Sequence, residues 1–201
     1  HNIVNDMNID NSTLGQYLGG IFHINNFNMG KFILKYEGNI LNLMAYIGNL
    51  QGLIYFHQNG CSWKRRTYDK KIYHQKKYAC TFAAAKGHLD CLQYAHVHGC
   101  PWDTTTCEYA AKKGHLDCLQ YAHENGCPWD ENTCTSAGEF GQLGCLQYAH
   151  EHGCPWDEDA CSDIVTYGHV DCLQYAHENG CTWEGSGILT VNNSLYFSQY
   201  S

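Results

Sequence analysis

Apolar and polar positions in the second half of the chain fall with the spacing of short, one-sided helices. In Leu116-Asp117-Cys118-Leu119-Gln120-Tyr121-Ala122-His123, residues Leu116, Leu119 and His123 lie at i, i+3 and i+7, with Cys118 and Ala122 beside them. A partner helix is predicted upstream, over Thr104–Lys113, where Asp103 offers a side-chain acceptor to the first unpaired backbone N–H groups. Gly114 separates the two helices. Gly126 stands where a left-handed C-cap is wanted, and Pro128 prevents continuation. Two short antiparallel helices and a tight loop thus account for the segment.

The segment is one copy of a repeat. Gly87-His88-Leu89-Asp90-Cys91-Leu92-Gln93-Tyr94-Ala95-His96 returns letter for letter from Gly114, which is 27 positions on. It returns from Gly141 with Gln142 and Gly144 changed, and from Gly168 with only Val170 changed. A fixed period of this size marks a stacked array, in which no unit buries its apolar face alone. Helix pairs are predicted at about Gly38–Cys61, Tyr78–Cys100, Thr104–Cys127, Glu131–Cys154 and Glu158–Cys181. The expected fold class is all-α, an α-solenoid of stacked helix–turn–helix units.

Thr105-Thr106-Cys107-Glu108-Tyr109-Ala110-Ala111-Lys112-Lys113-Gly114-His115-Leu116 resembles the ankyrin-repeat helix pair, whose pattern runs T-x-L-H-x-A-A-x-x-G-H-L. The threonine, the Ala-Ala pair and the Gly-His turn match, whereas Cys107 stands where that family has Leu and Glu108 where it has His. Gly126-Cys127 is similar to the Gly-Ala that closes the second helix, and Trp129 falls near the following Val. The unit is shorter than the family's roughly 33 residues. The deficit falls where ankyrin repeats carry their β-hairpin finger, so the resemblance implies shortened or absent fingers. Short units rich in Gly-Cys-Pro-Trp-Asp also resemble the ankyrin-type arrays of large DNA viruses of amoebae and of some protists.

The repeat divides the chain into five expected segments. Residues 1–37, rich in Asn and Gly, read as an N-terminal cap or degenerate repeat, and 38–61 as a divergent repeat in phase with the others. Residues 62–79 form a basic insertion, 80–183 four tandem units, and 184–201 a C-terminal cap or tail. The chain opens on His1 rather than Met, as a fragment would, and shows no signal-peptide pattern or run of some 18 apolar residues.

Charge follows this division. Lys64, Arg65, Arg66, Lys70, Lys71, Lys76 and Lys77 form a basic patch against one acid, Asp69. From Cys80 to Glu184, by contrast, there are sixteen acids and three bases. An acidic array repels phosphate backbones, which argues against nucleic acid as a partner except through the basic insertion, a candidate targeting or anionic-surface signal. No membrane association is expected.

Thirteen cysteines follow the repeat in three columns: Cys80, Cys107, Cys134 and Cys161; Cys91, Cys118, Cys145 and Cys172; and Cys61, Cys100, Cys127, Cys154 and Cys181. Equivalent residues of neighbouring repeats sit roughly 8–10 Å apart, beyond the reach of about 7 Å between bonded Cα atoms. Disulfides along a column are therefore not expected, and a reducing intracellular compartment fits best: cytoplasm, or host cytoplasm or virion if the source is viral. The alternative is zinc, with Cys107 facing Cys118 and His115 or His123 near. The spacing is not that of a zinc module, and the first column holds Leu41 in the divergent copy, so the cysteines read as reduced, metal-free core. The ladder His57, His96, His123, His150 and His177 reads as helix-end residues that bond carbonyls or ease the helix dipole. Trp63, Trp102, Trp129, Trp156 and Trp183 read as rings covering helix ends.

No phosphate-binding glycine loop and no nucleophile elbow is present, and no enzyme, cofactor or metal is expected. Variation between the copies marks positions that stacking leaves free. Those before the turn glycine include Lys86, Lys112, Lys113, Glu139, Phe140, Thr166 and Tyr167. Those at the entry to the first helix are Lys77, Thr104, Glu131 and Glu158. The ankyrin resemblance implies that these positions line a concave face gripping another protein. The leading expectation is a protein–protein interaction module or adaptor. The alternative is a self-associating structural subunit, a virion or filament component built from the same stack.

Overall fold

The computed structural model describes residues 40–63, 78–156, 162–164, 167 and 169–181. Their helices are α1 (Ile40–Ile47), α2 (Leu50–Gln58), α3 (Ala79–Ala84), α4 (Leu89–Val97), α5 (Thr104–Lys112), α6 (Leu116–Glu124), α7 (Glu131–Glu139), α8 (Leu143–Glu151) and α9 (Val170–Glu178). No strand occurs among the described residues, so the six-residue loop between α6 and α7 carries no β-finger. The fold is an all-α solenoid of stacked helix–turn–helix units. Its contacts divide it into two compact units, residues 1–83 with 90–101, and 84–89 with 102–201. The basic patch from Lys64 to Lys77 and the segments 1–37 and 184–201 lie outside the described residues.

Local chemistry sets the helix ends. Asp103, in extended backbone, accepts from the N–H of Thr105 at 3.2 Å, and Asp130 does the same for Asn132. At the other end Gly126 adopts φ +82°. There the Cys127 N–H donates to Ala122 at 2.9 Å and the Gly126 N–H to His123 at 3.0 Å. These two bonds form a Schellman motif, satisfying carbonyls that the helix leaves open. The turn glycine works identically: His115 donates to Ala110 and Gly114 to Ala111. Two successive Schellman motifs per repeat turn the chain twice in 27 residues.

Packing within the second unit is layered. First helices lie on first helices (α5 on α7), second on second (α6 on α8, α8 on α9), and within a repeat α5 pairs with α6 and α7 with α8. Leu119, Leu146 and Leu173 from the second helices are buried, each stabilising the stack by about 1.5–3 kcal/mol. The first helices contribute small residues, Cys107, Ala110, Ala111, Cys134 and Ala137, which let the helices approach closely. Gly138 is smaller still for a reason: a Cβ there would collide with the side chain of Ile164. The turn residues also stack. His115 lies against Gly87, Gln142 against Gly114, and His169 against Gly141. In the first unit Leu41 occupies its cysteine column fully buried, as packing requires.

Candidate partner-binding face

The second helices spend their aromatic residues on the stack itself. His57 Nδ1 lies 3.0 Å from the hydroxyl of Tyr94, His123 2.9 Å from Tyr148, and His150 3.0 Å from Tyr175. These three histidines of the ladder therefore bond the tyrosine of the following repeat, where the sequence suggests a backbone carbonyl. Periodicity alone does not reveal this register. Three tryptophans cover the same histidines: Trp129 stacks on His123 at 3.8 Å and Trp156 on His150 at 4.1 Å, and Trp63 lies tilted over His57 at 4.5 Å. Trp63 also donates its indole N–H to the carbonyl of His98 at 2.8 Å, covering a helix end as expected. Burial and the neighbouring His152 lower the pKa of His123, and burial and His98 lower that of His57.

The first-helix ends differ. Phe140 is 36% exposed and Tyr167 54% exposed, and their rings stack at 6.5 Å. The ammonium of Lys112 sits over the Phe140 ring at 4.2 Å and that of Lys113 at 5.7 Å. A cation held over an aromatic face gains from the ring quadrupole while remaining available to a ligand. The Glu139 carboxylate beside the Tyr167 hydroxyl raises the phenol above its ordinary range. Three consecutive repeats thus contribute to one exposed strip.

The other candidate positions separate from this strip. Thr104 and Glu131 open their helices, beside the caps Asp103 and Asp130, about 12 Å from the helix ends at 1.5 Å per residue. Glu131 is exposed and Thr104 half-buried. Lys86 is exposed at the turn after α3. Lys77, Glu158 and Thr166 lie outside the described residues. The candidates therefore occupy two ends of the first helices.

The cysteines pair in a way that column-by-column reading misses. The thiol of Cys107 is coupled to that of Cys127, twenty residues on in the same repeat, and Cys134 likewise lies with its Sγ 3.8 Å from the carbonyl of Cys154. Eleven described cysteines are thiols. Cys181 is disulfide-bonded, which corrects the expectation of a wholly reduced set. Among the described residues no group of three or more His, Cys, Asp or Glu side chains could hold a metal ion, and no helix is long and apolar enough to cross a membrane.

No protein-family model and no curated protein matches the chain. Among solved structures it is similar to the crystal structure of the human ASB11 ankyrin repeat domain, with 18% identity and a TM-score of 0.59. The match covers 71% of this chain and 69% of that one. At that identity the likeness shows the fold, a stack of ankyrin-type helix pairs.

Proposed function

We propose that the chain is a non-enzymatic interaction module that grips another protein through the strip formed by Lys112, Lys113, Phe140 and Tyr167. The observation carrying this reading is the exposed stack of Phe140 on Tyr167 beneath two lysines. Packing between repeats uses the second helices and the small residues of the first, so it has no need of these rings. Exposed aromatic side chains flanked by cations are the usual anchors of protein interfaces. Glu139 adds an acceptor beside them, so the partner presents an apolar group together with acidic and donor groups. The module works in a reducing intracellular compartment. In the viral setting suggested by the short Gly-Cys-Pro-Trp-Asp units, the partner is a host protein.

Capture from lysate of the native source or host, followed by binding isotherms against the captured protein, tests the reading. Lys112→Glu, Phe140→Ala and Tyr167→Ala each weaken binding while leaving the melting curve nearly unchanged. Leu119→Ala destabilises the stack by roughly 2–5 kcal/mol and lowers binding only through unfolding. Intact affinity in the three strip variants, with loss on substitution of Arg65, Arg66, Lys70 and Lys71, moves the site to the basic insertion. Light scattering separates out the self-assembling subunit: concentration-dependent polymers favour it, and a monomer at all concentrations favours the adaptor.

A further inference from the structure

The third cysteine column sits where the backbone leaves no choice of direction. Cys100, Cys127 and Cys154 each follow the left-handed glycine of a Schellman motif, with the N–H bonded back to Ala95, Ala122 or Ala149 at 2.9 Å. That turn carries the side chain under the first helix of the same repeat. The Sγ of Cys80 lies 3.8 Å from the Cys100 carbonyl, and that of Cys134 lies 3.8 Å from the Cys154 carbonyl. In return the Sγ of Cys127 donates to the Asp103 carbonyl at 3.3 Å and that of Cys154 to the Asp130 carbonyl at 3.2 Å, at the entry to the same first helices. The two thiols of each repeat accordingly shift one another's protonation: Cys80 with Cys100, Cys107 with Cys127 and Cys134 with Cys154. The spacing of twenty residues is the same each time. Cys181, the next member of the column, is already disulfide-bonded, and Cys161 precedes it in the sequence by the same twenty residues.

We propose that Cys80 with Cys100, Cys107 with Cys127, and Cys134 with Cys154 are dithiol pairs that close to disulfides within their own repeats when met by a small disulfide oxidant such as oxidised glutathione. The third-column cysteine is the point of entry, as a residue 3–4% exposed where its partner is fully buried. Hydrogen bonds from Cys80 and Cys134 also hold the Cys100 and Cys154 thiols below their ordinary range. The thiolate attacks one sulfur of the oxidant, forming a mixed disulfide and expelling one glutathione thiolate. The first-column sulfur then attacks the protein sulfur of that mixed disulfide, forming the Sγ–Sγ bond and expelling the second. The two thiol protons pass to the released glutathione thiolates, and the two electrons lost by the pair reduce the oxidant. Each bond ties the loop after a second helix to the first helix of that repeat, so oxidation stiffens the stack unit by unit.

The test uses the full chain, reduced and then exposed to oxidised glutathione over a range of glutathione ratios. Remaining thiols are blocked with maleimide, the chain is cut at Asp and Glu, and linked peptides are sequenced by mass spectrometry. The expected links are Cys80–Cys100, Cys107–Cys127 and Cys134–Cys154, with maleimide on Cys91, Cys118 and Cys145 and a higher melting temperature after oxidation. Cys127→Ser and Cys107→Ala each remove only the central link, so one of them suffices if the other fails to fold. Stable glutathione adducts without links, links to the second column, or maleimide on every cysteine would each overturn the proposal.

Discussion

The Nδ1 atom of His123 lies 2.9 Å from the hydroxyl of Tyr148, a bond between residues 25 positions apart that joins one repeat to the next. Two equivalent bonds join His57 to Tyr94 and His150 to Tyr175. Each is roofed by a tryptophan, so it is partly shielded from water. Tyr148→Phe keeps the ring and its contact with Trp129 but removes the hydroxyl. A hydrogen bond of this kind contributes about 1 kcal/mol net, and urea denaturation should show a loss of that size. No loss would mean that ring stacking alone couples the repeats.

The same histidines make stability depend on pH. His57 and His123 have folded pKa values below the ordinary 6.5, through burial first and then through His98 and His152. Glu124 pulls His123 the other way without reversing it. Below about 6.5 the unfolded chain therefore takes up protons that the folded chain resists. Stability is complete above that value and declines as pH falls through the folded pKa. Melting temperature should be flat from about pH 7 to 8 and lower at about pH 5. His152→Asn should lessen the fall, since Asn125 and Asn179 at the equivalent cap bond the same kind of carbonyl (Tyr121 and Tyr175) at 2.8 Å. An unchanged slope in that variant would remove His152 from the account.

Thr133 offers a change in the opposite direction. Its hydroxyl is the one buried side-chain polar atom without a hydrogen-bond partner among the described residues. An unsatisfied buried group costs about 1–3 kcal/mol. Thr133→Val replaces it with a methyl of nearly the same size and should raise stability by about 1 kcal/mol, measured by thermal or urea unfolding. A destabilised variant would show that the hydroxyl is satisfied in solution.

What the sequence displayed and what it hid divide by range. Asp103 as a cap, Gly126 and Gly114 as turn positions, and the apolar face of Leu116 and Leu119 were legible, because each depends on neighbours within a few residues. The second helix ends at Glu124, one residue past the expected His123, and the first at Lys112 with Lys113 as its cap. The pairing of Cys107 with Cys127 was not legible. It crosses two columns and depends on where a Schellman turn sends the chain, which no column displays. The bond from His123 to Tyr148 was hidden for a related reason, since the helical pattern fixes the face of each residue but not the register between repeats. Variation between copies picked out Lys113, Phe140 and Tyr167, which are exposed, together with Lys112, Thr104 and Glu139, which are half-buried. It gave no sign that Phe140 would lie between Lys112 and Tyr167.

Hydrogen exchange of the chain with and without its captured protein partner tests the central claim most directly. If the first-helix ends form the binding face, peptides covering Tyr109–Leu116 and Ser136–Leu143 should gain protection in the complex, together with the segment around Tyr167. Peptides from the second helices, already held by packing, should change little. Protection confined to residues 64–77, with the first-helix ends exchanging as in the unbound chain, would contradict the account.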